Sequence, residues 1–264
     1  MDTALNGRIA VVTGASAGIG KAIAEHLAQA GACVVLNARR ADKLQQLAES
    51  INNATGRTAA VPSPGDAADP GVVTQMLDAA ADSFGAPVDL AVVNAGRGLA
   101  GSIMTSDEAQ WEEMVRVNLI GAARLMRYAG ERMLAEAESG EESWPETAKP
   151  RDIVVLGSNV GRHISPYSSM YGASKFGVNS LAEAQRRELG PKGIRVSLLE
   201  PGIVKSEFQG VAGYDPKAFG EIMEKFGPVL DPEDIARTVV FITSQPKHVH
   251  LNDIVIRGTR QDYP

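Results

Sequence analysis

The feature that most constrains this chain is a repeated alternation of short apolar runs with longer stretches of helical spacing. Ile9–Thr13, Cys33–Asn37, Thr58–Val61, Val88–Val93, Ile153–Leu156, Ile194–Leu199 and Asp253–Ile256 read as strands. Gly18–Ala30, Ala41 to about Asn52, Gly71–Phe84, Ser169–Leu189 and Asp231–Ser244 read as helices, and Ser106 to about Glu138 as one long or broken helical region. Continuous Val, Ile and Leu runs, without regular polar alternation, mark strands buried on both faces. Alternation of strand and helix implies a parallel sheet covered by helices on each side. The expectation is one α/β domain over 1–264, built on a doubly wound parallel sheet of about seven strands.

Composition narrows the function classes. A net charge of −6 speaks against a nucleic-acid partner, because phosphate binding needs a basic surface. No apolar run reaches the length of a membrane span, so no membrane partner is expected. Met1–Arg8 lacks the layout of a secretory signal, which gives a cytoplasmic expectation. The single cysteine, Cys33, fits that compartment and, opening an apolar stretch, reads as a buried inert thiol. Two segments break the alternation. Ala135–Arg151 is acidic, carries Pro145 and Pro150, and reads as a solvated surface insertion. Ser206–Leu230 interleaves glycines with Phe208, Tyr214, Phe219, Met223 and Phe226, and reads either as a mobile lid over a ligand or as a small packed helix.

Directly after the first strand comes Thr13-Gly14-Ala15-Ser16-Ala17-Gly18-Ile19-Gly20, which opens a helix. A helix start offers unpaired N–H groups and a partial positive charge, and glycine lets the backbone approach a pyrophosphate. Gly14, Ser16, Ala17, Gly18, Ile19 and Gly20 are therefore candidate cofactor contacts in a Rossmann-type fold. The second strand ends Asn37-Ala38-Arg39-Arg40. A carboxylate here would meet a ribose 2′-hydroxyl, whereas two guanidinium groups suit a 2′-phosphate. Asp42 lies where a helix begins and reads as its cap. NADP(H) is the expected cofactor, with Arg39 and Arg40 as its phosphate ligands.

Tyr171 and Lys175 stand four residues apart at a helix start and so share one face. A neighbouring cation favours the phenolate, moving a tyrosine toward usable acid–base chemistry. Ser158, thirteen positions before Tyr171, lies just past the fifth strand, where ligands of open parallel sheets collect.

At this point the chain resembles the short-chain dehydrogenase/reductase family, in its compact single-domain branch. Thr13–Gly20 is similar to that family's TGxxxGxG motif, and Asn94-Ala95-Gly96 to its NAG motif on the adenine-ribose side. Asp66-Ala67 sits where the family's aspartate meets adenine. Asn118, Ser158, Tyr171 and Lys175 match the catalytic tetrad, with Val117 beside the cofactor. Pro201-Gly202-Ile203-Val204-Lys205-Ser206 resembles the PGxVxT segment, which makes Pro201, Gly202, Val204 and Ser206 expected nicotinamide neighbours. Position 17 is Ala where phosphate-preferring relatives often carry a basic residue, Ser206 replaces threonine, and the acidic insertion lengthens the interval from Asn118 to Ser158.

The resemblance implies roles. Tyr171 acts as general acid and base, Ser158 orients and polarises the substrate oxygen, Lys175 binds the nicotinamide ribose and tunes Tyr171, and Asn118 holds a water leading to solvent. It implies an NADPH-dependent carbonyl reductase or alcohol dehydrogenase acting on small aldehydes, ketones or secondary alcohols, assembled as a homodimer or homotetramer with Phe176 near a subunit contact. The segment His248–Ile256 resembles a subgroup reducing small aldehydes, ketones and hydroxy-acid semialdehydes. The alternative is a catalytically silent dinucleotide-sensing protein, against which the intact tetrad speaks. A sugar-nucleotide epimerase would carry a longer C-terminal domain, and an enoyl reductase spaces its tyrosine and lysine further apart. His163 reads as an exposed loop residue and Arg97 as a possible neighbour of the substrate cleft. His248 and His250 have strand-pair spacing, but the further ligands a metal would need are not evident, so no metal is expected.

Overall fold

The computed structural model describes residues 4–138 and 149–262. Most of the acidic stretch therefore lies outside the described residues. The elements in chain order are β1 (Ile9–Thr13), α1 (Gly18–Gln29), β2 (Cys33–Ala38), α2 (Ala41–Thr55), β3 (Ala60–Pro64), α3 (Pro70–Phe84), β4 (Leu90–Val93), α4 (Trp111–Val115), α5 (Ala122–Glu138), β5 (Arg151–Leu156), α6 (Ser169–Leu189), β6 (Ile194–Pro201), α7 (Phe208–Ala212), α8 (Pro216–Phe226), α9 (Pro232–Thr243) and β7 (Asp253–Ile256). The strands form one seven-stranded sheet in the order β3-β2-β1-β4-β5-β6-β7, and every pairing is parallel.

The continuous apolar runs are explained by helices on both faces. Side chains alternate along β1: Ala10 and Val12 join the core beneath α1, α2 and α9, while Ile9 and Val11 join the core beneath α3, α5 and α6. Chain direction across the sheet reverses between β1 and β4. The crevice above their carboxyl ends is the place where open α/β sheets bind ligands.

At the opposite, amino end of the strands, Arg8, Asp89, Asp152 and Arg195 form a buried ion-pair chain. Arg8 meets Asp89 at 2.7 Å and Asp152 at 2.8 Å, and Arg195 meets Asp152 at 2.7 Å. It ties the starts of β1, β5 and β6 together, far from the crevice.

Several sequence expectations shift. The third strand runs later than Thr58–Val61 and includes Pro62 and Pro64; it is an edge strand, where a missing N–H costs no ladder bond on the open side. The long helical region breaks at Arg116–Gly121, a widened π turn between α4 and α5. Asp42 does not cap α2. Arg40 occupies that position, and Asp42 sits in the first turn, where its charge complements the helix dipole. Residues 245–252 form no strand, so His248 and His250 are not a strand pair; His250 instead meets the Val196 carbonyl through Nε2 at 2.9 Å. Cys33 is half-buried rather than buried, with the Arg57 guanidinium 3.1 Å from its sulfur. No helix among the described residues is long and apolar enough to cross a membrane.

Candidate active site

A cavity of about 1100 Å³ opens above the carboxyl ends of β1, β2, β4, β5 and β6. That exceeds the volume usual for one small ligand and leaves room for two reactants side by side. Every predicted contact residue except Asn118 lines it: the glycine loop, Arg39, Arg40, Asp66, Ala67, Asn94, Ala95, Gly96, Val117, Ser158, Tyr171, Lys175, Pro201, Gly202, Val204 and Ser206.

The loop between β1 and α1 is shaped for close approach. Gly14 has φ +69°, and a Cβ there would fall 2.8 Å from the Asn94 amide nitrogen. Gly18 has φ +52°, also in the region glycine favours. Asn94 holds this geometry by donating from Nδ2 to the Thr13 carbonyl at 2.8 Å, while Thr13 Oγ1 accepts from the Asn94 and Ala95 amides at 3.1 Å each. Ala17, at the cap of α1, supplies no side-chain partner for the first-turn N–H groups, and no acidic residue sits in that turn. Unpaired donors and an uncompensated positive helix end fit a pyrophosphate.

At the end of β2, Arg40 donates to the Ser16 hydroxyl from Nε at 3.1 Å and from Nη2 at 2.9 Å. Glu207, at the start of the lid segment, faces Arg40 at 3.5 Å and Lys43 at 3.9 Å. Among the residues lining this part of the cavity, no carboxylate follows β2 directly. Asp66 accepts from Arg116 at 2.6 Å and from the Ala68 amide at 2.9 Å. Burial would raise its carboxyl, but these donors together hold it below the ordinary value.

Tyr171 and Lys175 occupy the first turns of α6, and Ser158 caps the short turn Asn159–Gly161 that follows β5. Both side chains line the cavity wall, and the Ser158 hydroxyl donates to Asn159 Oδ1 and accepts from the Val160 amide, at 3.3 Å each. Burial pushes the Tyr171 phenol above its usual value, with Ser158 opposing. The sequence expectation that Lys175 lowers this phenol is not realised here. The Lys175 ammonium lies 6.0 Å from the Tyr171 ring centre and donates instead to the Leu156 carbonyl at 2.7 Å. Burial lowers Lys175 itself to about 8.

Asn118 lies behind the cavity wall, within the π turn. Its Oδ1 accepts from the Arg97 amide at 2.8 Å, and its Nδ2 donates to the Arg97 carbonyl at 2.9 Å and to the Ser174 hydroxyl at 3.1 Å. It therefore joins the segment after Asn94-Ala95-Gly96 to the helix that carries Tyr171. A second set of contacts fixes the Ser158 turn, and sequence reading missed it. The buried Glu200 accepts from Asn179 on α6 at 2.5 Å and from Arg162 at 2.9 and 2.5 Å, and Arg162 also reaches Asp253 on β7 at 2.6 Å. Gly157 and Gly161 pack so closely on Asn179 that a Cβ would lie 2.5 and 2.6 Å from its amide. Tyr167, Asn159 and Gln261 also line the cavity without having been anticipated. The Gln261 side chain accepts from the Ile203 amide at 3.0 Å, a contact across 58 positions that no local pattern signals.

The lid segment resolves into α7 and α8. Ala212 and Phe226 are buried, while Phe208, Val211, Tyr214, Phe219 and Ile222 face the cavity, so the segment is both packed helix and cover. Arg97 lines the cavity and its guanidinium is bonded to Gln110; His163 is exposed and lines no part of it.

Fold and site together define an α/β oxidoreductase. More particularly, the chain belongs to the short-chain dehydrogenases, whose family model matches residues 8–216. It is 35% identical over 253 residues to a glycine betaine reductase of Emericella nidulans, covering 96% of this chain but only 19% of that much longer protein. It is 32% identical over 255 residues to an uncharacterized oxidoreductase of Staphylococcus aureus strain N315, covering 97% of this chain and 99% of the relative. Among solved structures it resembles an alcohol dehydrogenase from the archaeon Thermococcus sibiricus complexed with 5-hydroxy-NADP, with a TM-score of 0.81, 27% identity, and 97% and 99% of the two chains covered.

Proposed function

We propose that this protein is an NADPH-dependent carbonyl reductase, with Tyr171 as the acid that protonates the substrate oxygen. The observation that carries the reading is that Ser158, Tyr171 and Lys175 line the same cavity as the glycine loop and Arg39–Arg40.

The residues for the cofactor are the unpaired N–H groups of the Gly14–Gly20 loop for a pyrophosphate, and Arg39, Arg40 and Ser16 for a 2′-phosphate. A relative crystallised with an NADP derivative supports the same cofactor class. Bound there, NADPH supplies the hydride.

The chain's own groups supply position and protons. Ser158 donates a hydrogen bond to the carbonyl oxygen and polarises it. Tyr171 then passes its hydroxyl proton to that oxygen. A phenol kept protonated by burial suits this donor role at neutral pH. Lys175, lowered to about 8, is largely charged at neutral pH and, held by the Leu156 carbonyl, is placed on the cavity wall to bind the nicotinamide ribose. Asn118 and Ser174 hold α6 against the segment after β4, so that the donor stays in register with the oxygen it serves.

Cofactor choice is tested by steady-state oxidation of NADPH and NADH over a panel of aldehydes and ketones. NADPH is expected to be preferred at least about tenfold in kcat/KM, the scale of one charge-assisted contact. Arg39→Ala combined with Arg40→Ala should remove the preference while leaving activity with NADH. Equal use of both cofactors by the parent protein contradicts the assignment.

A further inference from the structure

The aromatic residues of this chain are concentrated at one place. Phe, Trp and Tyr make up only 5% of the sequence, yet three of the six phenylalanines and three of the five tyrosines line the cavity. They are Tyr167, Tyr171, Phe208, Tyr214, Phe219 and Phe226. Phe208 stacks at a tilt on Tyr171, with ring centres 5.5 Å apart, and Tyr214 on Phe219 at 6.0 Å. The surface next to Tyr171 is thus aromatic.

The same character continues outside the mouth. Three segments are tied together there by backbone bonds: Gly101 N–H donates to the Tyr167 carbonyl at 2.8 Å, Ser169 N–H to the Gly101 carbonyl at 3.2 Å, and Ala100 N–H to the Ala212 carbonyl at 2.8 Å. Gly98 closes the junction, since a Cβ there would lie 2.6 Å from both Phe208 and Ala212. At or within three residues of these ties stand Met104, Ile164, Tyr167 and Val211, exposed by 87, 81, 71 and 62%. Single exposed apolar residues are ordinary, but Tyr167 and Val211 also line the cavity, so its mouth carries exposed apolar surface of the kind that covers a ligand. Of the nearby charges, Lys225 is paired with Asp262 at 3.1 Å, while Arg97 bonds the Gln110 amide through one guanidinium nitrogen and its Nε has no partner.

We infer that the substrate is a carbonyl compound, or the matching secondary alcohol, whose non-reacting part is a large uncharged apolar body. That body runs from Tyr171 past Phe208 and Tyr214 to the rim at Val211 and Tyr167. The inference rests on the carbonyl-reductase reading above and adds the substrate class to it. Small polyhydroxylated or charged carbonyls would leave this aromatic wall and rim wet, and would bring polar groups there without partners.

A homologous series separates the possibilities. NADPH oxidation by the full chain is measured with straight-chain methyl ketones from butanone to decanone, with a ketohexose, and with a keto acid of intermediate length. Specificity should climb about threefold to fourfold per added methylene until the chain passes the rim. The ketohexose and the keto acid should fall at least about a hundredfold below decanone. Val211→Asn should flatten the upper part of the series. A flat series overturns the inference, and so does a preference for the ketohexose or for the keto acid, the latter pointing to Arg97, whose Nε is buried without a partner. Turnover of none of these compounds would remove the carbonyl-reductase reading. Calorimetric binding of the same ketones to the protein–NADP⁺ complex then decides the apolar preference alone: decanone should bind more tightly than butanone, and equal binding overturns it.

Discussion

Lys175 serves the site at a cost to the fold. Its ammonium is buried with one protein partner, the Leu156 carbonyl, and burial lowers it to about 8 from an ordinary value of 10.5. Below about pH 8 the lysine is charged in both the folded and unfolded protein, and the full desolvation cost is present. Between about 8 and 10.5 the unfolded chain holds the proton that the folded chain has released, so stability rises with pH. The shift corresponds to at most about 3 kcal/mol. Lys175→Met should therefore be more stable than the parent below pH 8, with the gap closing toward pH 10.5, as read by urea denaturation across that range. A pH-independent gap would mean that the ammonium is well solvated. Tyr171 is perturbed in the complementary sense. Its burial favours the protonated phenol, so at neutral pH the pair combines a neutral phenol with a charged neighbour, the state that the proposed reduction needs.

At the scale of elements, α6 is fixed from two sides. Asn118 in the π turn bonds Ser174 on one side, and Glu200 on β6 gathers Asn179 and Arg162 on the other. Burial raises Glu200's carboxyl above its ordinary value, against the pull of Arg162. Arg162→Met leaves that carboxylate short of its main counter-charge and should cost about 3 kcal/mol at neutral pH. The loss should shrink as pH falls toward 5, because an unpaired buried carboxyl takes up a proton more readily when folded than when unfolded. Paired urea titrations of parent and variant at the two pH values check this. A constant loss would show that Arg162 acts through packing alone.

What was legible in the sequence follows from the reach of each contact. The glycine loop and the Tyr171–Lys175 pair are set by local spacing on a loop and one helix turn, and both fall where that spacing puts them. Ser158 needed only the added rule that ligands gather at strand ends. Glu200, Arg162, Asn179 and Asp253 come from four separate elements, and nothing in their spacing announces their meeting. Asn118 matched the family pattern, yet its side chain faces a packing junction, because the widened turn at Arg116–Gly121 is a feature of helix geometry and not of residue type. The apolar run of the third strand ends at Val61, yet the strand continues through Pro62 to Pro64, because its edge position removes the penalty for proline. Asp42 looked like a cap because residue type was considered without the backbone angle at Arg40.

Across the whole molecule the sheet separates two tasks. Its amino ends hold the buried chain of Arg8, Asp89, Asp152 and Arg195, which anchors the strands. Its carboxyl ends hold the cavity, where one half, from β1, α1 and β2, carries the glycine loop and Arg39–Arg40, and the other, from β5 and α6, carries Ser158 and Tyr171. The two halves can therefore be disabled separately. Tyr171→Phe keeps the ring on Phe208 and removes only the hydroxyl. In a stopped-flow single turnover with NADPH and a ketone reduced by the parent protein, the variant should bind NADPH with nearly parental affinity, read from nicotinamide fluorescence. Its rate of NADPH oxidation should fall about a hundredfold or more. Oxidation at the parental rate would contradict the assignment of Tyr171 as the acid.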